Sequence, residues 1–117
     1  LEVLNISVDG STATTYEKLR LGARWEDIKK NLDYISKIHK DFPVYIHMVV
    51  QQDNWKEMET MLELVNLYNF ERVYFNLIQD WNTGNNCNDT SFTKTKDFKE
   101  MLSRLECDPK SRTWGLK

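Results

Sequence analysis

Val44-Tyr45-Ile46-His47-Met48-Val49-Val50-Gln51 is the stretch on which the fold turns. It is rich in β-branched and aromatic residues, which suit a pleated, half-buried surface. Its period of two sets Val44, Ile46, Met48 and Val50 on one face and Tyr45, His47, Val49 and Gln51 on the other. Asp41-Phe42-Pro43 precedes it, and Pro43 disfavours helix in the residue before it. Upstream of that break, Trp25, Ile28, Leu32, Ile35 and Ile38 recur at three- and four-residue steps, predicting an amphipathic helix over 24–39.

Further upstream, Leu4, Ile6 and Val8 alternate with Asn5 and Ser7, which predicts a strand over 1–8 closed by the turn pair Asp9-Gly10. A short helix follows over 15–21, with Thr14 and Glu17 at capping-box spacing and Gly22 at its exit. Downstream, Asn54 and Glu57 have the same box spacing and open a helix over 55–69, striped by Trp55, Met58, Met61, Leu62, Val65 and Tyr68. A third strand is predicted over 73–79, with Val73, Phe75 and Leu77 on one face and Tyr74, Asn76, Ile78 and Asp80 on the other. A polar loop then leads to a last helix over 96–106, marked by Phe98, Met101, Leu102 and Leu105. The tail from Cys107 has no clear period.

Strands separated by helices of this length imply parallel β-α-β units with right-handed crossovers. The expectation is an α/β fold in one domain across residues 1–117, with three parallel strands. A strand between two helix layers would be apolar on both faces. These strands are apolar on one face only, so helices cover one side and mixed polar residues line the other. That pattern describes a wall of an open or partial α/β barrel, and equally a three-stranded sheet with one wet face.

Composition narrows the class. The chain has 117 residues, 16 Lys+Arg against 18 Asp+Glu, and 12% aromatics. A net charge of -2 offers no electrostatic footprint for nucleic acid or an anionic membrane. No apolar run reaches the roughly 18 residues a membrane helix needs, and no signal peptide is visible. Cys87 and Cys107 are too few for a disulfide framework and too far apart for metal-ligand spacing, so a cytoplasmic, reducing setting is expected and no metal ligand is assigned. Active residues of parallel α/β folds sit at the carboxyl ends of strands. Here those ends are Ser7 to Gly10, Gln51 to Asn54, and Gln79 to Asn82, all polar. Tyr45 and Tyr74 are expected to pack, and His47 to be a hydrogen-bonded histidine.

Asn5-Ile6-Ser7-Val8-Asp9-Gly10, Thr15-Tyr16-Glu17-Lys18-Leu19-Arg20, and the helix from Trp25 to Ile35 with Asn31 inside it resemble the middle of a radical S-adenosylmethionine enzyme. The second strand with Asn54, and the third ending in Gln79-Asp80-Trp81, fit the later strands in pattern, so the resemblance spans about residues 1–82. It implies half of a (β/α)6 partial barrel, the carboxyl-terminal half, beginning at the fourth strand, with the earlier strands and the cluster loop upstream of Leu1. It also implies that the parent binds a 4Fe-4S cluster through a Cys-x3-Cys-x2-Cys motif, and cleaves S-adenosylmethionine reductively to a 5′-deoxyadenosyl radical. That motif is absent here, so the chain alone is expected to be inactive and to retain neither cofactor.

By the same resemblance, Ser7 matches a serine that contacts the ribose or carboxylate of S-adenosylmethionine, and Arg20 an arginine that reaches its carboxylate. Asp9, Asn54, Asn76 and Asp80 fall at lumen-facing or strand-end positions and are candidate contacts to an unknown substrate. The alternative is a stand-alone α/β binding or assembly module. Its first strand would be an unpaired edge, and such edges invite homo-oligomerisation.

Overall fold

A computed structural model of the chain describes residues 2–78, 89–114 and 116, the side chains of Lys40 and Trp114 excepted. Four strands form one parallel sheet in the order β1-β2-β3-β4: β1 (Leu4–Ser7), β2 (Val44–Val50), β3 (Arg72–Leu77) and β4 (Ser111–Trp114). Between them run α1 (Ala13–Leu19), α2 (Trp25–Ile38), α3 (Met58–Leu67) and α4 (Lys96–Glu106). Single 3-10 turns lie at His39–Asp41, Trp55–Glu57 and Ser91–Lys94. The expected α/β class with parallel strands is observed, but among the described residues the strands number four rather than three.

The added strand, β4, arises from the tail that carries no hydrophobic period. It is four residues long, Ser-Arg-Thr-Trp, and among the described residues pairs on one side only, with Val73 facing Ser111 and Asn76 facing Trp114. A short edge strand is held by its backbone ladder, here including Val73 N–H to Lys110 O at 2.9 Å, more than by apolar side chains.

Sequential order fixes where the helices go. When each right-handed crossover steps one strand further in the same direction, every helix falls on the same face. Val44, Ile46, Met48 and Val50 are completely buried against that layer, as are Val73 and Phe75. They join Leu32 of α2, Met58, Met61 and Val65 of α3, and Phe98, Met101, Leu102 and Leu105 of α4 in one hydrophobic core. Trp55 stacks on Phe92 at 5.8 Å and meets Phe98 edge-on at 5.7 Å, which ties the start of α3 to the turn before α4. Among the described residues, no helix is long and apolar enough to cross a membrane.

The helix starts correct two expectations. The N-cap of α1 is Thr12, whose hydroxyl accepts from Thr15 N–H at 3.4 Å, not Thr14. Glu17 instead reaches forward and accepts from Trp25 N–H at 2.8 Å, closing the α1–α2 turn. At the third helix, Asn54 and Glu57 form no capping box. The Glu57 carboxylate turns to Ser11, Thr12 and Thr15, the Asn54 amide bridges Asp9 and the end of β2, and the predicted 55–69 helix begins as a 3-10 turn.

Candidate functional site

The carboxyl ends of β1 and β2 are stitched together by two side chains. Asn54 is 1% exposed, and its amide makes three hydrogen bonds. Its Nδ2 donates to Asp9 O at 2.9 Å and to Val49 O at 2.8 Å, while its Oδ1 accepts from Gln51 N–H at 2.8 Å. Asp9 crosses the same gap in reverse: its Oδ1 accepts from Val49 N–H at 3.1 Å, and its Oδ2 from Arg20 Nε at 3.3 Å. An asparagine suits the first role because it both donates and accepts, whereas a carboxylate only accepts.

Glu57 fastens the loop that follows β1. Its Oε1 accepts from Ser11 N–H at 2.8 Å and from the Ser11 hydroxyl at 3.1 Å. Its Oε2 accepts from the Thr12 hydroxyl at 3.2 Å and from the Thr15 hydroxyl. A carboxylate at the first turn of α1 also complements the amide dipoles there. Gly10 lets this loop lie close. A Cβ on it would stand 2.6 Å from Tyr16 N and 2.9 Å from Tyr16 Cα, both backbone atoms.

The sheet face opposite the helices is uncovered by any described residue and is mostly polar. Ser7 faces His47, His47 faces Tyr74, and Tyr74 faces Arg112; one step toward the strand starts, Asn5 faces Tyr45 and Tyr45 faces Arg72. His47 Nε2 bonds Asn5 Oδ1 at 2.7 Å, and the imidazole stacks on Tyr74 at 5.0 Å with 12° between planes. Partial burial holds that imidazole below its usual value. Tyr45 meets Tyr74 edge-on at 5.6 Å. Ser7 is exposed on this face, and its hydroxyl has no hydrogen-bond partner among the described residues.

The six candidate site residues separate into different surroundings. Ser7 and Asn76 stand on the uncovered face. Asp9, Arg20 and Asn54 join in one hydrogen-bonded group at the strand ends. Asn54 is buried, and its side-chain amide is engaged by three backbone groups. Arg20 pairs with Asp9 through Nε and keeps its side chain 41% exposed, leaving its Nη groups for another acceptor. Asp80 and Cys87 lie outside the described residues. Cys107 is an exposed free thiol at the end of α4. Glu57, expected only as a box partner, and Tyr45 and Tyr74, expected only to pack, take part in these polar and ring contacts, and Arg72 joins them without having been expected to. The alternation Arg72-Tyr74-Asn76, continuous with the polar face of β3, is the signal that locates that arginine.

The chain matches no family model, no curated protein and no solved structure.

Proposed function

We propose that this chain is a wall segment of a radical S-adenosylmethionine barrel and that it supplies the ribose side of the cofactor cleft through Ser7. The observation that carries the reading is the pairing of a sequential four-stranded parallel sheet, with the described helices on one face, and an opposite polar face whose Ser7 hydroxyl has no partner among the described residues. Sequential parallel strands with one-sided helices are the repeating geometry of an α/β barrel wall, and the polar face corresponds to its lumen. The (β/α)6 assignment belongs to this proposal and rests on the resemblance of residues 1–82.

S-adenosylmethionine, when bound, brings a ribose diol, an amino-acid head group and a scissile sulfonium. Ser7 has a hydroxyl that donates and accepts, which fits a ribose oxygen. Arg20 is held by Asp9 with its outer donors available, which fits a carboxylate. Asn54 and Glu57 keep the loop between β1 and α1 in place, so that Ser7 and Arg20 retain their positions. Among the described residues, no group of three or more His, Cys, Asp or Glu side chains is placed to hold a metal. The role proposed for this chain is binding and orientation.

Amide chemical-shift mapping with S-adenosylmethionine tests this. The expected result is weak binding, about millimolar, with shifts at Ser7, Val8, His47 and Asn76 and a further loss of affinity in Ser7→Ala. Shifts confined to the helices, or none at all, would overturn the cofactor reading. The edge position of β1 favours a second reading, a module that pairs with another copy through that strand. Light scattering across concentration decides it: a constant monomer mass removes it.

A further inference from the structure

The chain has five arginines, and three of them pair with carboxylates: Arg20 with Asp9 at 3.3 Å, Arg24 with Glu26 at 3.4 Å, and Arg104 with Glu59 at 2.7 Å. Arg72 and Arg112 pair with none among the described residues, and both stand on the uncovered sheet face. Arg72 Nη1 donates to the Tyr74 hydroxyl at 3.2 Å, and its guanidinium lies 5.4 Å from the Tyr45 ring centroid. Arg112 uses only Nη1, which donates to the backbone carbonyls of Ser111, at 2.9 Å, and Pro109.

Their placement matters more than their number. Arg112 is the register partner of Tyr74, and Arg72 sits two residues before Tyr74 on the same face. Strand spacing and rise put the two Cα atoms roughly 8 Å apart. The described strand positions sharing that face, namely Asn5, Ser7, Tyr45, His47, Val49 and Asn76, include no carboxylate. Two like charges on neighbouring strands repel. In a chain of net charge -2, two arginines without a carboxylate partner among the described residues thus occupy neighbouring strands on the same sheet face.

We propose that the β3–β4 half of this face binds an oxyanion, a carboxylate or phosphate group, carried by a ligand with a flat ring. Guanidinium forks match such groups with paired donors. Arg72 is already oriented by Tyr74 and Tyr45, so little side-chain freedom remains to be lost on binding. Tyr45, Tyr74 and His47 supply half-buried ring surface beside the charges. This site lies two strands away from Ser7 and stands independently of the cofactor reading.

The test titrates the labelled chain with benzoate, phenyl phosphate and neutral benzamide while following the arginine Nε signals. Both anions are expected to move the Arg72 and Arg112 signals, and the tighter of the two identifies the oxyanion. Benzamide binds at least about tenfold more weakly if charge-assisted bonds supply the affinity. Arg112→Gln and Arg72→Gln each weaken benzoate by about tenfold, and Arg72→Lys, which keeps the charge but loses the fork, falls between. Arg24→Gln, a remote change of equal charge, leaves binding unaltered. Circular dichroism establishes that each variant is folded, and Arg112→Gln and Arg72→Lys carry the test if Arg72→Gln is not. Equal binding of benzamide, equal weakening by Arg24→Gln, or immobile Arg72 and Arg112 signals overturns the proposal.

Discussion

Asn54→Ala removes one side chain and strands three backbone groups: Asp9 O, Val49 O and Gln51 N–H. Each lost bond is worth roughly 1 kcal/mol net, and a buried group left without a partner costs roughly 1–3 kcal/mol. Water reaches part of a strand end, so the sum falls short of the worst case, and the expected loss is about 3 kcal/mol. Against a total stability of about 5–15 kcal/mol, that is a large fraction. With a urea slope of about 1.5 kcal/mol per molar, the unfolding midpoint should fall by roughly 2 M. Amide exchange at Gln51 should accelerate beyond the global change, because its acceptor is gone. Asn54→Asp discriminates further: a carboxylate there faces two carbonyl oxygens, so the variant should be less stable than Asn54→Ala at neutral pH and recover as acid protonates it. Asn66→Ala, which touches only Asp108 on the surface at 3.3 Å, is the control and should stay within about 0.5 kcal/mol of the parent. A loss below about 1 kcal/mol for Asn54→Ala, or one equal to the control, refutes the reasoning that this amide couples β1 to β2.

Two further outcomes follow from the same region. Gly10→Ala drives a Cβ into the backbone of Tyr16 at 2.6 Å, so α1 must move or the loop must distort. The expected cost is about 2–3 kcal/mol, read as a melting temperature lower by roughly 8–12 °C, and an unchanged melting temperature contradicts it. His47 is held below its usual value of 6.5 by burial, so the folded protein prefers the neutral ring and the unfolded chain takes up the proton first. Its stabilising contribution is complete above 6.5 and is lost as pH falls from there through the folded value. A ring titration by NMR should therefore have its midpoint below 6.5, and His47→Gln should flatten the acid limb of stability against pH; a midpoint at or above 6.5 excludes this account.

Much of the architecture is legible in local pattern, and the misses have physical causes. The helix over 96–106 coincides with α4, and the two faces of β2 and β3 divide as their alternation predicts, because period is a property of the backbone geometry itself. The strand at Ser111–Trp114 is not legible, since a polar edge strand is stabilised by pairing with β3 and carries no hydrophobic signature. Asn54 and Glu57 mislead for a related reason. Their spacing satisfies a local capping rule, yet the Glu57 carboxylate bonds Ser11, Thr12 and Thr15, 42 to 46 residues away in sequence, and the Asn54 amide bonds Asp9 O, 45 residues away, besides Val49 O and Gln51 N–H. Arg20 likewise reads as an available cation, whereas Asp9, eleven residues earlier, orients it.

The amino-acid sequence by itself determined the alternation of strands and helices, the parallel class and the existence of one polar sheet face, since each depends on repeat lengths and apolar spacing along the chain. Tertiary structure alone decided which polar residues meet. It buried Asn54 between two strand ends and turned Glu57 onto the β1–α1 loop. It set Arg72 beside Arg112 across β3 and β4. Strand register places residues from distant segments within one hydrogen-bond length or one strand spacing, and that adjacency is absent from any local period.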